Sequence, residues 1–214
     1  MIPATIVDNF FESPELIRDY ALSLDFSKQT GNFPGVRSDK IHTLNVQLFN
    51  LIVKKIYHVF FSLNDDVSID CESCFQLVDG SFDGGWFHKD SSISDIAGVI
   101  YLTPNAPLDG GTIIGKRIKD TDEETYNIRD AFYKKEFDDI DKYRNIRNEF
   151  NSCFDETLIV NNVFNRAVIY NSQEFHRENK FFGETKENSR LTLVFFIKFM
   201  LKNAMPPMVR LHLK

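Results

Sequence analysis

The chain has 214 residues, with 25 Lys and Arg against 31 Asp and Glu and a formal net charge of −6. That length suits one domain spanning 1–214 with a sizeable core. An acidic balance without a basic stripe argues against non-specific nucleic-acid binding, and the longest apolar run, "LTLVFFI", is far too short for a membrane span.

"MIPATIVDNFF" shows no positive segment ahead of a long apolar run, so no signal peptide is expected. Three cysteines, an odd number, then fit a reduced cytoplasmic protein. In "FFESPELIRDYALSL" Ser13 is placed to cap a helix, Pro14 suits its first turn and Glu15 its positive end. A loop with Gly31, Pro34 and Gly35 follows. Leu44, Leu48, Leu51, Ile52, Ile56, Val59 and Phe60 then trace one side of a second helix. Residues 1–62 are thus a helical front, and His42 and His58 within it read as ordinary surface or packing histidines.

From residue 67 the apolar period shortens. Strands are expected at 67–78, 85–90, 96–102, 111–115, 157–161, 166–171 and 189–199, divided by turns such as "DGSFDGG" and "TPNAPLDGG". Helices first and many short strands after predict a mainly β, α+β chain with a sandwich or barrel over 67–200. Cys71 and Cys74 form a C-x-x-C, but residues three apart in a strand face opposite ways and no second pair completes a four-thiolate site. Both read as structural. The charged stretch 116–155 is too long for a plain loop; it is either a solvated surface insertion or a lid beside a site.

"GGWFHKDSS" carries the chemistry. In a regular strand Trp86, His88 and Asp90 would share one face, and Gly84 and Gly85 would let the chain turn into it. Trp86 would then either wall a substrate entrance or pack at the barrel rim. A mononuclear iron(II) site with open positions takes two imidazoles and one carboxylate on one side of the metal. H-x-D supplies two of these, and a distant strand must supply the third. "RAVIYNSQEFHREN" offers His176. Farther on, "SRLTLVFFIKF" puts Arg190 and Thr192 on one face and Leu191, Leu193, Phe195 and Ile197 on the other. An arginine within so apolar a strand is costly unless it meets an anion, and its planar fork suits a carboxylate.

These segments resemble the iron(II)- and 2-oxoglutarate-dependent oxygenases, most closely the prolyl-hydroxylase-like branch. "FHKD" resembles that family's H-x-D element and "VIYLTPNAPLDGGTII" its tyrosine-bearing strand and Gly-Gly hairpin. "NRAVIYNSQEFHRE" resembles the strand leading to the distal histidine, and "SRLTLVFF" the strand of the cosubstrate-binding arginine. The opening "VDNFFESPELIRDYAL" resembles the helical front of phage and marine bacterial members. The match runs in order along nearly the whole chain.

The resemblance implies a double-stranded β-helix, a cupin-like jelly roll with helices packed on one sheet. It implies Fe(II) held by His88, Asp90 and His176, and 2-oxoglutarate held by Arg190 with Thr192 beside it, with O2 as co-reactant. Tyr101 would lie against the same cosubstrate carboxylate, or serve simply as a strand aromatic; Arg190 would meet the cosubstrate or an internal acidic residue. Hydroxylation of an unactivated C–H in a small-molecule or peptide substrate would follow, with succinate and CO2 as coproducts. A non-catalytic jelly-roll module binding a metal or ligand is the alternative, and a zinc hydrolase on the same triad a third. The spacing of His176 from Arg190 is longer than in many prolyl hydroxylases, and 116–155 has no counterpart in the family.

Overall fold

From residue 69 onward the alternation of apolar and polar side chains builds two antiparallel sheets facing each other across a cavity. The computed structural model describes residues 4–28, 31–60, 68–122, 125–134, 136 and 139–199. The larger sheet has six strands: β1 (Ala4–Val7), β7 (Ala167–Asn171), β4 (Ile96–Tyr101), β9 (Arg190–Phe199), β3 (Ile69–Val78) and β2 (Val36–Arg37), in that spatial order. The smaller sheet orders β6 (Phe154–Val160), β5 (Thr112–Arg117) and β8 (Phe175–Glu178). The chain is mainly β and folds as a jelly roll with helices at its front.

The two faces of β9 decide where everything lies. Leu191, Leu193, Phe195 and Ile197 are buried in an apolar layer with Cys71 and Phe75 of β3 and Ile96 and Ile100 of β4. Ala21 of α1 (Pro14–Ser23), Ile41 of α2 (Ile41–Leu44) and Leu48, Ile52 and Ile56 of α3 (Val46–Phe60) close that layer from outside. The opposite face of β9, with Arg190 and Val194, looks into the cavity, as the period of two requires. Ser13 occupies the N-cap of α1 without a side-chain hydrogen bond, and Leu51 stands outside the apolar side of α3 at 52% exposure.

Residues 116–155 hold two helices, α4 (Thr125–Tyr133) and α5 (Ile140–Asn151). Tyr133, Tyr143 and Phe150 from these helices pack with Phe82, Trp86, Phe87, Ile113 and Phe154. This second core covers the smaller sheet, so the insertion is a packed layer of the fold despite its charge. Cys71 and Cys74 lie on β3 as free, buried thiols, and burial pushes Cys71 up to about 12. His212 falls outside the described residues. No helix among those described is long and apolar enough to cross a membrane.

Three strands escaped expectation. β1 and β2 hold four and two residues, too few for a period to register. β8 is a strand apart from β7: the chain leaves β7 at Asn171, turns, and carries His176 into the other sheet. The reverse error concerns 85–90. This stretch is not a strand; its only pairing there is an isolated bridge between His88 and His176.

Candidate metal centre

His176 sits in mid-β8, and β8 is bonded to β5 with Ile114 opposite His176 and Thr112 opposite Glu178. Facing His176 across the bridge is His88: each backbone N–H donates to the other residue's carbonyl at 3.0 Å. The two imidazole centroids are 4.4 Å apart. Asp90 follows, its N–H donating to the Ser172 carbonyl, and its Oδ2 lies 3.5 Å from His176 Nε2. One donor atom from each of His88, Asp90 and His176 lies within 4.8 Å of the others. The sequence-predicted trio is therefore brought together at one point.

Second contacts fix how those donors present themselves. Nδ1 of His88 lies 2.8 Å from the Trp86 carbonyl and Nδ1 of His176 lies 2.9 Å from the Glu174 carbonyl. A carbonyl only accepts, so both rings carry their hydrogen on Nδ1 and leave Nε2 as a lone-pair donor. Burial, and then the neighbouring His176, push His88 below its ordinary value, which favours the neutral ring a metal needs. Asp90 Oδ2 is buried without a hydrogen-bond partner. An orphaned carboxylate oxygen beside two imidazoles is costly unless a cation sits there.

Arg190 is 2% exposed. Its Nε donates to the Gly110 carbonyl at 2.9 Å, while one terminal nitrogen is buried with no acceptor. No carboxylate among the described residues comes within ion-pair range of it. Glu178 also lines the cavity. Thr192 is fully buried, its hydroxyl equally without a partner. A buried guanidinium with a spare donor and a spare hydroxyl two residues on is a ready receptor for a carboxylate.

Two expected site residues are placed elsewhere. Trp86 does not wall an entrance: it is 0% exposed, donates from Nε1 to the Tyr143 hydroxyl at 2.7 Å and packs on Phe150. The reason is the irregular path of 83–90, which breaks the alternation that would have set it beside His88. Gly84 and Gly85 have ordinary φ and are needed for closeness instead. A Cβ at Gly85 would meet the Glu178 backbone nitrogen at 2.7 Å, and one at Gly84 the Asn179 carbonyl at 3.0 Å. Tyr101 is fully buried, and its hydroxyl donates to Thr112 Oγ1 at 2.7 Å. Its ring lies 5.5 Å from the Arg190 guanidinium, and Thr112 takes the place at the cavity wall.

The cavity between the sheets measures about 670 Å³. Sequence reasoning left unassigned several of its walls: Thr112, Tyr170, Glu178, Arg37 and Gln76. Glu178 was findable as the residue two past His176 on one strand face. Thr112 and Arg37 were not, since their places depend on cross-strand register. Arg129 and Tyr133 of α4 also line the cavity, so the insertion forms part of its wall.

A model of a family of unknown function (DUF6445) matches residues 2–197. No curated protein matches the sequence. Among solved structures, HygX from Streptomyces hygroscopicus with nickel and 2-oxoglutarate bound is similar at a TM-score of 0.54 and 12% identity, over 91% of this chain and 82% of that one. The Trichoplax adhaerens prolyl hydroxylase, in complex with a hypoxia inducible factor peptide, gives 0.51 and 13%, over 91% and 83%. The 2-oxoglutarate-type (non-heme alpha ketoglutarate dependent) epimerase SnoN from nogalamycin biosynthesis gives 0.53 and 9%, over 92% and 77%. Identities this low carry the fold alone. The chain belongs to the DUF6445 family, and its fold is that of the 2-oxoglutarate-dependent oxygenases.

Proposed function

We propose that this chain is an Fe(II)- and 2-oxoglutarate-dependent oxygenase that hydroxylates an unactivated C–H of an amino-acid-like or peptidyl substrate in the cytoplasm. The observation that carries this reading is a pair of buried, unsatisfied polar atoms on one cavity, Asp90 Oδ2 and a terminal nitrogen of Arg190, with the equally unsatisfied Thr192 hydroxyl two residues along the strand of Arg190. An iron ion and a dicarboxylate cosubstrate would satisfy all of them. The three free, reduced cysteines agree with a reducing compartment.

His88, Asp90 and His176 would hold the metal from one side, which leaves positions for a bidentate keto acid and for O2. When bound, iron and 2-oxoglutarate would activate O2, the oxidant, with 2-oxoglutarate oxidised to succinate and CO2. The protein's own work is placement. The Trp86 and Glu174 carbonyls orient the two rings, Arg190 and Thr192 hold the far carboxylate, and Tyr101 keeps Thr112 and the guanidinium in position. Two sheets and the α4 helix wall the cavity around the reacting centre.

The test is anaerobic addition of Fe(II) and 2-oxoglutarate, watched for a visible metal-to-ligand charge-transfer band. The wild type should show the band and His88→Ala should lose it; a well-folded wild type without a band defeats the reading. A band with no succinate formed in air, under any substrate, would favour a non-catalytic binding module on the same fold.

A further inference from the structure

Arg37 is a further guanidinium on the same cavity; Arg129 and Arg177 there are paired with Asp130 and Glu156, and nothing in the oxygenase chemistry uses Arg37. It lies on β2 opposite Gln76 of β3, and Gln76 in turn lies opposite Thr192 of β9. Registered neighbours share a sheet face, so Arg37, Gln76 and Thr192 form one row, of which Arg37 and Gln76 line the cavity. Arg37 is thus two strands removed from Arg190 and Thr192, at the edge of the sheet.

The guanidinium is held as a binding group is held. Its plane rests on the buried Phe33 ring at 3.8 Å. One terminal nitrogen donates to Gln76 Oε1 at 3.2 Å, and Gln76 is itself fixed by donating to the Pro34 carbonyl at 2.9 Å. Gly35 makes this corner possible: at φ +71°, a side chain there would strike the Leu77 carbonyl and the Val78 backbone. Nε of Arg37 is buried with no acceptor, and no carboxylate among the described residues is within 4.0 Å. The acids it does feel, Asp90 and Glu178, belong to the metal end of the cavity.

We propose that Arg37 receives a free carboxylate of the substrate, so that the substrate is a small carboxylic acid or amino acid, or a peptide presented by its C-terminus. An internal peptide residue brings only neutral carbonyls, which leave a half-buried cation without a counter-charge. The inference rests on the oxygenase reading for the site's far end, where Arg190 takes 2-oxoglutarate. It adds the requirement that two anions enter one cavity, each with its own guanidinium.

The test uses the protein loaded with Mn(II) and 2-oxoglutarate, which does not turn over in air. Free L-amino acids and aliphatic carboxylates are titrated by calorimetry, each beside its primary amide. At least one acid should bind while its amide does not. Arg37→Gln should weaken that acid about ten- to a hundredfold, the range expected for a lost charged hydrogen bond, with 2-oxoglutarate affinity changed by less than about threefold. Arg37→Lys, which keeps the charge without the fork, should fall between. Binding by no acid, equal binding by the amides, or an equal loss of 2-oxoglutarate affinity in Arg37→Gln overturns the proposal. If the wild type takes up no 2-oxoglutarate, the oxygenase reading falls. The same titration of unloaded protein then upholds the Arg37 site where Arg37→Gln abolishes acid binding, and overturns it where it does not.

Discussion

β9 is hydrogen-bonded to β3 from Arg190 to Phe199 on one side and to β4 from Thr192 to Ile197 on the other. The segment carrying His88 and Asp90, by contrast, has a single isolated bridge, to His176. Gly85 N–H and Asp90 N–H donate to the Glu178 and Ser172 carbonyls, and several of its remaining backbone groups are met by side chains of the insertion. Asn151 accepts from Phe87 N–H at 3.1 Å and donates to the Gly85 carbonyl at 3.1 Å, Tyr126 donates to the Phe87 carbonyl at 3.0 Å, and Arg147 reaches the Gly84 carbonyl. The arginine end of the cavity is thus built on a regular ladder backed by α1–α3. The metal end rests on an irregular strap that α4 and α5 hold in place. Stability and metal geometry are consequently entrusted to different halves of the molecule.

The sharpest way to break that division is to injure each half separately. Phe195→Ala removes a fully buried ring from the layer between β9 and the helices, where Gly98 leaves room for it to press against β4. A loss of roughly 3–5 kcal/mol is expected from chemical denaturation. Metal affinity of the fraction still folded should change little. A collapse of metal binding in folded Phe195→Ala would show that the two halves are not independent.

Asn151→Ala makes the opposite cut. It strips partners from Phe87 N–H and the Gly85 carbonyl, at a cost of about 1–3 kcal/mol. Because those groups flank His88, metal binding should weaken about tenfold, in line with the loss of a group that orients a ligand. Titration with Mn(II), followed by 2-oxoglutarate at saturating metal, separates the effects: only the first should move. Asn151→Asp, which keeps the acceptor and loses the donor, should lie between. Unchanged metal affinity in Asn151→Ala would reduce the insertion to cover.

The same contrast explains what could be read from the chain beforehand. The arginine end was legible because β9 is long and regular: two apolar and two polar positions in alternation suffice to put Arg190 and Thr192 on one face. The identities of the metal trio were legible from residue type and order, and the structure gathers them. Their local geometry was not. Trp86 was set beside His88 by an alternation that the 83–90 strap does not obey, since it meets β8 only at Gly85 and His88 and its other hydrogen bonds include those to Asn151, Tyr126 and Arg147. Charge hid the insertion's role as well. Its mixed-sign surface masks Tyr133, Tyr143 and Phe150, whose partners Phe82 and Trp86 lie far away in sequence. Arg37 escaped because a two-residue strand has no period, and only its register with Gln76 gives it a face.

The smallest of the expected effects lies at the start of the strap, where Asp83 takes hydrogen bonds from Arg147 at 2.6 Å and Arg144 at 3.2 Å on α5. Burial alone would raise the Asp83 carboxyl, but Arg147 and then Arg144 outweigh it and hold it below its ordinary value. A depressed native value means that the unfolded chain takes up the proton first. The stabilisation is then complete above the unfolded carboxyl value near ~4 and is lost as pH falls through the lower native one. Asp83 sits in a strained turn at φ +62° and ψ −79°, and Asp83→Asn, which keeps the side chain's size and shape, tests the charge with least change to the turn. Partial exposure limits the contribution to about 1 kcal/mol or less. The melting temperature of Asp83→Asn should therefore trail the wild type by a constant few degrees from neutral pH to about 5, and the gap should close below about 4. A gap that persists unchanged into acid would mean that the clasp works through hydrogen-bond geometry and not through charge, leaving Asn151 and Tyr126 as the true fastenings of the strap.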